Sequence, residues 1–318
     1  MKILYITNMY PSAAHTYNGI HVKEQIDHLL KHYPIDHQLY FINGFSSKIN
    51  YFKSIFIANK LIAKKKFDLV HIHFGLSGLF VLFNPFINIP VILTIHGSDI
   101  NSTKLMGLMK RITKRVAKRA KKIIILNEKM ERLLLPYKER TVIIPCGINI
   151  DQFALNRNNK KKCFLVGFPG DKQRPVKNYI LFEKIIDQLK IKGHEIEIIE
   201  FHNLSRAEVA EQLSRLDCLL MTSHSEGSPQ IIKEAMVCNV PIVSSNVGDV
   251  GFVLDDVKNC YVIDSFGVED YVEKLILLIN TDQNSRITNG REKIRKLGLD
   301  QDAVCSKIFD LYESVING

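Results

Sequence analysis

From its first residues the chain repeats one local pattern: a short apolar, largely β-branched run, a turn, then a longer stretch with apolar side chains at helical spacing. Strands that read as continuously apolar are buried on both faces, and helical crossovers between them place neighbours in parallel. The pattern therefore predicts an α/β fold, a parallel sheet with helices packed on both sides. The first repeat is Lys2–Thr7 as strand, Asn18–Gly19 as turn and Val22–His32 as helix, with Ile26, Leu29 and Leu30 on one face. That is the order of a Rossmann unit. Further strands fall at Leu39–Ile42, Leu69–Ile72, Val91–Ile95, Ile123–Leu126 and Val142–Ile144, with a helix at Phe52–Lys65 and another before Val91.

A polar, basic patch, Asn156–Lys162, interrupts the alternation and reads as a linker. The pattern then restarts. Strands are expected at Cys163–Gly167, Ile196–Glu200, Cys218–Thr222, Pro241–Ser244 and Tyr261–Val262, and helices at Tyr179–Lys190, Arg206–Leu216, Pro229–Val237 and Val268–Ile279. The last helix, Ala303 to about Ile316, has no strand after it and is expected to cross back onto the first domain. A chain of 318 residues with 46% hydrophobic composition supports two such domains. The division expected is residues 1–155, joined by 303–318, and residues 156–302.

Charge is divided unevenly. Residues 1–155 hold 22 Lys and Arg against 9 Asp and Glu, so the net +10 of the whole chain belongs to the first half. Six scattered cysteines, with no CxxC pair and no histidines near them at metal-ligand spacing, read as reduced thiols of a cytosolic protein. The apolar run after Lys2 ends at Thr7–Asn8, too short for a signal-peptide core. Phe74–Ile95 carries no charge and is long enough to raise a membrane span, but Asn84–Pro85, Asn88 and Pro90 break it. Buried elements of a parallel α/β core account for it better.

Ser223–Met236 holds the chemistry. It follows an apolar strand and opens a helix, with Ser228 placed as N-cap and Pro229 at the first helical position. The amides of Gln230 and Ile231 then face outward at the positive end of the helix dipole, where an anion such as a diphosphate is favoured. Glu226 lies just before this terminus, and Glu234 lies inside the helix, about 8 Å along its axis at 1.5 Å per residue. One extended ligand reaches both, its ribose diol on Glu234 and its sugar hydroxyls near Glu226. An ordinary strand-to-helix turn with two solvated glutamates is the alternative.

Glu226–Gly227–Ser228–Pro229, Glu234–Ala235–Met236, Pro241–Ser245 and Gly248 together resemble the donor-site signature of glycosyltransferase family 4, the glycosyl transferases group 1. The resemblance implies a GT-B fold, two Rossmann-like domains facing across a cleft, the first binding acceptor and the second nucleotide sugar. It implies donor contacts at Gly227, Ser228, Pro229, Gln230, Ile231 and Glu234, and at Gly19 in the first strand-to-helix turn. Thr94–Asp99 resembles the family's His-Gly-x-Asp segment. His96 is thereby the histidine expected against the transferred sugar, and Asp99 an acceptor or cleft residue. His71 and His73, alternating on one strand, read equally well as structural.

Two segments depart from the family. Pro145–Cys146–Gly147–Ile148–Asn149 has Cys for Asn and Asn for Asp at the domain junction. In Gly167–Asn178, Phe168 stands where many members carry arginine, and Arg174 and Lys177 keep a cationic pair later in the loop. By resemblance, and because charge builds on a leaving diphosphate, Arg174, Lys177, Glu226 and His96 are the expected catalytic group. Whether Lys172 or Arg174 reaches the phosphate is open. With no Asp-x-Asp at a strand end, no cofactor or metal is expected.

Lys104–Lys122 holds nine Lys or Arg and no acid, with apolar residues at helical spacing. Contact with an anionic membrane surface and a solvated helix with its apolar stripe in the core are both open. Nucleic acid finds no supporting motif. The function expected is a retaining, metal-independent transferase moving a sugar from a UDP- or GDP-sugar to a saccharide or lipid-linked acceptor in surface glycan synthesis. A sugar-nucleotide epimerase and a non-catalytic scaffold protein are the alternatives.

Overall fold

The computed structural model describes residues 1–13, 17–100, 107–155 and 163–318. The chain forms two compact units, Met1–Gly147 with Gln301–Gly318, and Ile148–Asp300. The linker read at Asn156–Lys162 and the start of the basic stretch, Lys104–Met106, lie outside the described residues.

In the first unit the elements run β1 (Lys2–Thr7), α1 (Ile20–His32), β2 (Asp36–Phe41), α2 (Ile49–Lys64), β3 (Leu69–His73), β4 (Val91–Thr94), α3 (Gly107–Arg119), β5 (Lys122–Ile125), α4 (Glu128–Leu133) and β6 (Thr141–Ile143). The strands pair in the order β2-β1-β3-β4-β5-β6, each pair parallel. Alternation along β1 divides its side chains between two cores. Leu4 and Ile6 join Val70, Ile72 and Leu93 on one face, while Ile3 and Tyr5 join Leu69, Ile92 and Ile124 on the other.

The second unit runs β7 (Phe164–Phe168), α5 (Tyr179–Ile191), β8 (Ile196–Glu200), α6 (Arg206–Leu213), β9 (Cys218–Met221), α7 (Gln230–Val237), β10 (Ile242–Ser245), α8 (Val250–Val253), β11 (Cys260–Ile263), α9 (Val268–Asn280) and α10 (Gly290–Lys296). Its parallel sheet has the order β11-β10-β9-β7-β8. Phe168, standing where many family members have arginine, is fully buried and packs edge-on against Tyr179 and Phe182.

The final helix, α11 (Gln301–Asn317), belongs to the first unit. The Gln301 side-chain amide donates to the Glu24 carbonyl at 2.6 Å, Phe309 stacks on Tyr33, and Val304, Ile308 and Tyr312 complete the core beneath α1. The expected crossing back is thus present.

Two expected elements differ. The segment before β4 is a 3₁₀ helix, Gly75–Phe83, not an α-helix. Among the described residues no helix is long and apolar enough to cross a membrane. The basic helix ends at Arg119, because Lys122 already starts β5. Thr113, Val116 and Ala117 are buried on its core side and Met109 and Ile112 are half-buried, while Leu108 is exposed.

Candidate functional site

In a parallel sheet the loops following the strands gather at one edge, where ligands bind. The second unit places its loops there as follows. Lys177 ends the 3₁₀ turn Pro175–Lys177 after β7, Arg206 opens α6 after β8, Glu226 lies in the loop after β9, and Glu234 lies on α7.

These four charges form two pairs. Lys177 Nζ stands 2.8 Å from Glu226 Oε1, and the Arg206 guanidinium 2.6 Å from Glu234 Oε1. Only 5% of the Glu234 side chain is exposed, so its charge is held by a partner rather than by water. Arg206 also lies over the Phe153 ring, 5.3 Å from its centroid. Arg206 was not foreseen from the sequence. One signal existed: a cation at the first position of a helix opposes the helix dipole and needs a specific partner.

The N-terminus of α7 differs from its reading in sequence. Pro229 itself is the cap residue, with extended backbone, and α7 begins at Gln230. Ser228 does not cap. Its hydroxyl donates to Asp249 Oδ2 at 2.5 Å, tying the loop to the start of α8. Gly248, at φ 59°, runs against the backbone of Gly227, where a Cβ would meet the carbonyl. Gly227, Ser228, Pro229, Gln230 and Ile231 thus form one anchored loop leading into the helix. Beside it, Arg174 is exposed, while Lys172 lies 3.0 Å from Glu200 at the end of β8.

The corresponding edge of the first unit holds histidines. Parallel register sets His73 beside Thr94, so the chain leaving β4 brings His96 back over β3. His96 Nε2 lies 3.1 Å from His73 Nδ1, and Phe74 stacks on the His96 ring. Beneath them the fully buried His71 meets Tyr312 Oη at 2.6 Å and Thr94 Oγ1 at 2.7 Å. Burial lowers the His71 pKa to about 3. Burial and the adjacent imidazoles hold His73 and His96 well below the usual histidine range. These rings are neutral donors and acceptors at neutral pH.

Gly19 immediately precedes α1 at φ 67°, and a Cβ there would collide with the Met9 carbonyl, so no other residue fits. Asp99, read in sequence as an acceptor or cleft residue, lies inside the loop after β4. It is 2% exposed and turned inward, accepting from the Gly75 amide at 3.0 Å and the His96 amide at 3.3 Å. Burial raises its pKa to about 6. It holds the loop that carries His96.

With this geometry in place, comparison with known proteins identifies the family. The description Glycosyltransferase Family 4 matches residues 13–152, and Glycosyl transferases group 1 matches residues 149–296. The chain belongs to the family 4, group 1 glycosyltransferases. An uncharacterized glycosyltransferase of Methanocaldococcus jannaschii is 26% identical over 80% of this chain and 77% of its own. A Bacillus subtilis glycosyltransferase named for teichuronic acid biosynthesis is 25% identical, over 58% of this chain and 54% of its own. Among solved structures, sucrose-phosphate synthase of Thermosynechococcus elongatus matches with a TM-score of 0.79 at 15% identity, over 99% of both chains. Anabaena HepE, solved with UDP and glucose, matches with a TM-score of 0.70 at 16% identity, over 99% of this chain and 100% of its own. The glycosyltransferase therefore has the GT-B fold, and its two parallel sheets are that fold's Rossmann-like domains.

Proposed function

We propose that this glycosyltransferase moves a sugar, with retention of anomeric configuration and without a metal ion, from a UDP- or GDP-sugar to a saccharide or lipid-linked acceptor in surface glycan synthesis. The observation that carries the reading is the pairing of Lys177 with Glu226 and Arg206 with Glu234 around the start of α7. A nucleotide diphosphate sugar has a ribose diol at one end, sugar hydroxyls at the other and charge between, and each part meets a matching group here. Glu234 accepts from the ribose diol. The α7 terminus, Lys177 and Arg174 take the diphosphate, whose charge grows as the sugar leaves. Lys177 exchanges Glu226 for phosphate oxygen, and Glu226 is freed to position sugar hydroxyls.

The acceptor hydroxyl then attacks the anomeric carbon on the face the diphosphate leaves. The departing phosphate oxygen takes the acceptor proton, so no carboxylate is required as nucleophile. His96, neutral under these conditions, positions the transferred sugar. The UDP and glucose held by HepE and the teichuronic acid name of the Bacillus relative support the donor and acceptor classes.

Contact with an anionic membrane is part of the same proposal. Besides the basic face of α3, α2 exposes Ile49, Phe52 and Phe56 next to Lys53 and Lys60 and contains no acid. Asn84 Nδ2 donates to Asn59 of α2, and the Arg119 guanidinium at the end of α3 donates to the carbonyls of Asn84 and Pro85. The exposed Phe83 and Phe86 flank this junction, so aromatic and cationic side chains share one region of the first unit.

A thermal-shift screen against UDP, GDP, ADP and their sugars tests the donor. Stabilisation by one base series is expected, and stabilisation by none refutes it. NMR of the product anomer tests retention. Undiminished transfer in excess chelator is expected, and loss restored by magnesium or manganese overturns metal independence. Donor turnover without acceptor would replace transfer by epimerisation.

A further inference from the structure

We infer that His21, His96 and Cys146 form a binding site for a soft divalent cation of the zinc class, and that occupancy of this site blocks sugar transfer. The three residues come from different parts of the first unit. His21 is the second residue of α1, His96 follows β4 by two residues, and Cys146 follows β6 by three. Their ligand atoms all lie within 4.8 Å of one another. His96 Nδ1 is 3.9 Å from Cys146 Sγ, and the rings of His21 and His96 are 4.8 Å apart between centroids. Ligands of a tetrahedral zinc ion stand about 3.4–3.6 Å apart, from metal–nitrogen and metal–sulfur bonds of about 2.0–2.3 Å. Small side-chain rotations close the difference.

The surroundings suit a ligand set. His73 holds His96 through its other nitrogen, at 3.1 Å, which leaves Nδ1 directed to Cys146. Second contacts of this kind orient metal-bound imidazoles. His73 is itself fully buried, and its Nε2 has no hydrogen-bond partner among the described residues. Phe74 packs against both His21 and His96. Two imidazoles and a thiol select zinc-like ions over magnesium or calcium, which take oxygen ligands. Binding converts the Cys146 thiol to a metal thiolate and releases its proton to solvent. Three protein ligands leave a fourth position open to water or a hydroxyl.

This site depends on a departure of this chain, since Cys146 stands where the family segment carries asparagine. The inhibitory consequence rests on the proposed role of His96 against the transferred sugar; the binding itself does not. A ring ligated through Nδ1 and fixed through Nε2 is no longer available to the sugar.

Cobalt(II), a zinc surrogate with visible spectra, provides the test on the full chain stripped by chelator and kept reduced without thiols. One equivalent is expected to give a thiolate-to-cobalt charge-transfer band with tetrahedral ligand-field bands, both abolished by zinc. Cys146→Ser should remove the charge-transfer band, and His21→Asn should weaken affinity by at least about tenfold. Circular dichroism and an unchanged nucleotide-induced thermal shift show that the variants are folded. Absence of the band, or its persistence in folded Cys146→Ser, overturns the site whatever the enzyme's substrates prove to be. Zinc should inhibit transfer by the unaltered protein and not by Cys146→Asn. Full transfer with zinc bound at Cys146 overturns the inhibitory role alone.

Discussion

Lys177 and Glu226 face each other at 2.8 Å with 12% and 18% of their side chains exposed, a cation and a carboxylate held close where water screens them little. Under the proposed function a bound diphosphate offers Lys177 a stronger partner than Glu226 does, and the pair is then one that donor binding rearranges. Lys177→Ala should therefore lower kcat by about 10²- to 10³-fold, the usual effect of deleting one transition-state charge donor, and change donor affinity much less. Steady-state kinetics beside a nucleotide thermal shift separates the two. An equal loss in binding would make Lys177 a binding residue only.

Glu234 and Arg206 predict the opposite division. Glu234→Ala removes the acceptor proposed for the ribose diol and should weaken nucleotide binding about 10- to 100-fold, as expected for a hydrogen bond to a charged group of about 1.5–3 kcal/mol. Arg206→Ala leaves Glu234 buried without that partner, so it should destabilise the second unit as well as weaken binding. In the double variant the stability losses should be less than additive, measurable by urea unfolding. Strict additivity would show that the pair carries no coupling.

Much of this was legible in sequence, and the failures share a cause. Lys2–Thr7 appears as a strand at the boundaries its β-branched run implies, because a strand buried on both faces has no competing local choice. The helix at Ser228 was misplaced by one residue because the serine finds Asp249, distant in sequence, in place of the amides next to it. Asp99, read as an acceptor or cleft residue, is buried where it satisfies the amides of Gly75 and His96, contacts the motif does not reveal. Arg206 had no motif. In each case the deciding partner lies on another element, and local propensity carries no information about it.

The histidine layer predicts acid sensitivity. His71 is neutral in the folded state down to about pH 3, while the unfolded chain protonates it near 6.5. Between those values the unfolded state binds the extra proton, so stability falls as pH drops from 6.5 toward 3. His71→Gln should be less stable at pH 7, having lost its contacts to Tyr312 and Thr94, but should lose less stability on acidification to pH 5 than the unaltered protein. Urea unfolding at the two pH values measures both. Identical slopes would show that His71 does not titrate as its burial requires.

Membrane contact can be separated from fold because Phe52 and Phe56 are 65% and 77% exposed, so replacing them removes little packing. Phe52→Ser with Phe56→Ser should leave thermal stability nearly unchanged and reduce flotation with phosphatidylglycerol vesicles. Replacing Arg111 and Arg115 on the exposed face of α3 by glutamine should reduce flotation further and flatten its salt dependence, since each cation near an anionic surface adds about 1 kcal/mol. If the aromatic and cationic patches act together, loss of either weakens binding and high salt does not abolish the aromatic part. Flotation unaffected by both sets of changes would move the contact elsewhere, and no flotation by the unaltered chain would remove it.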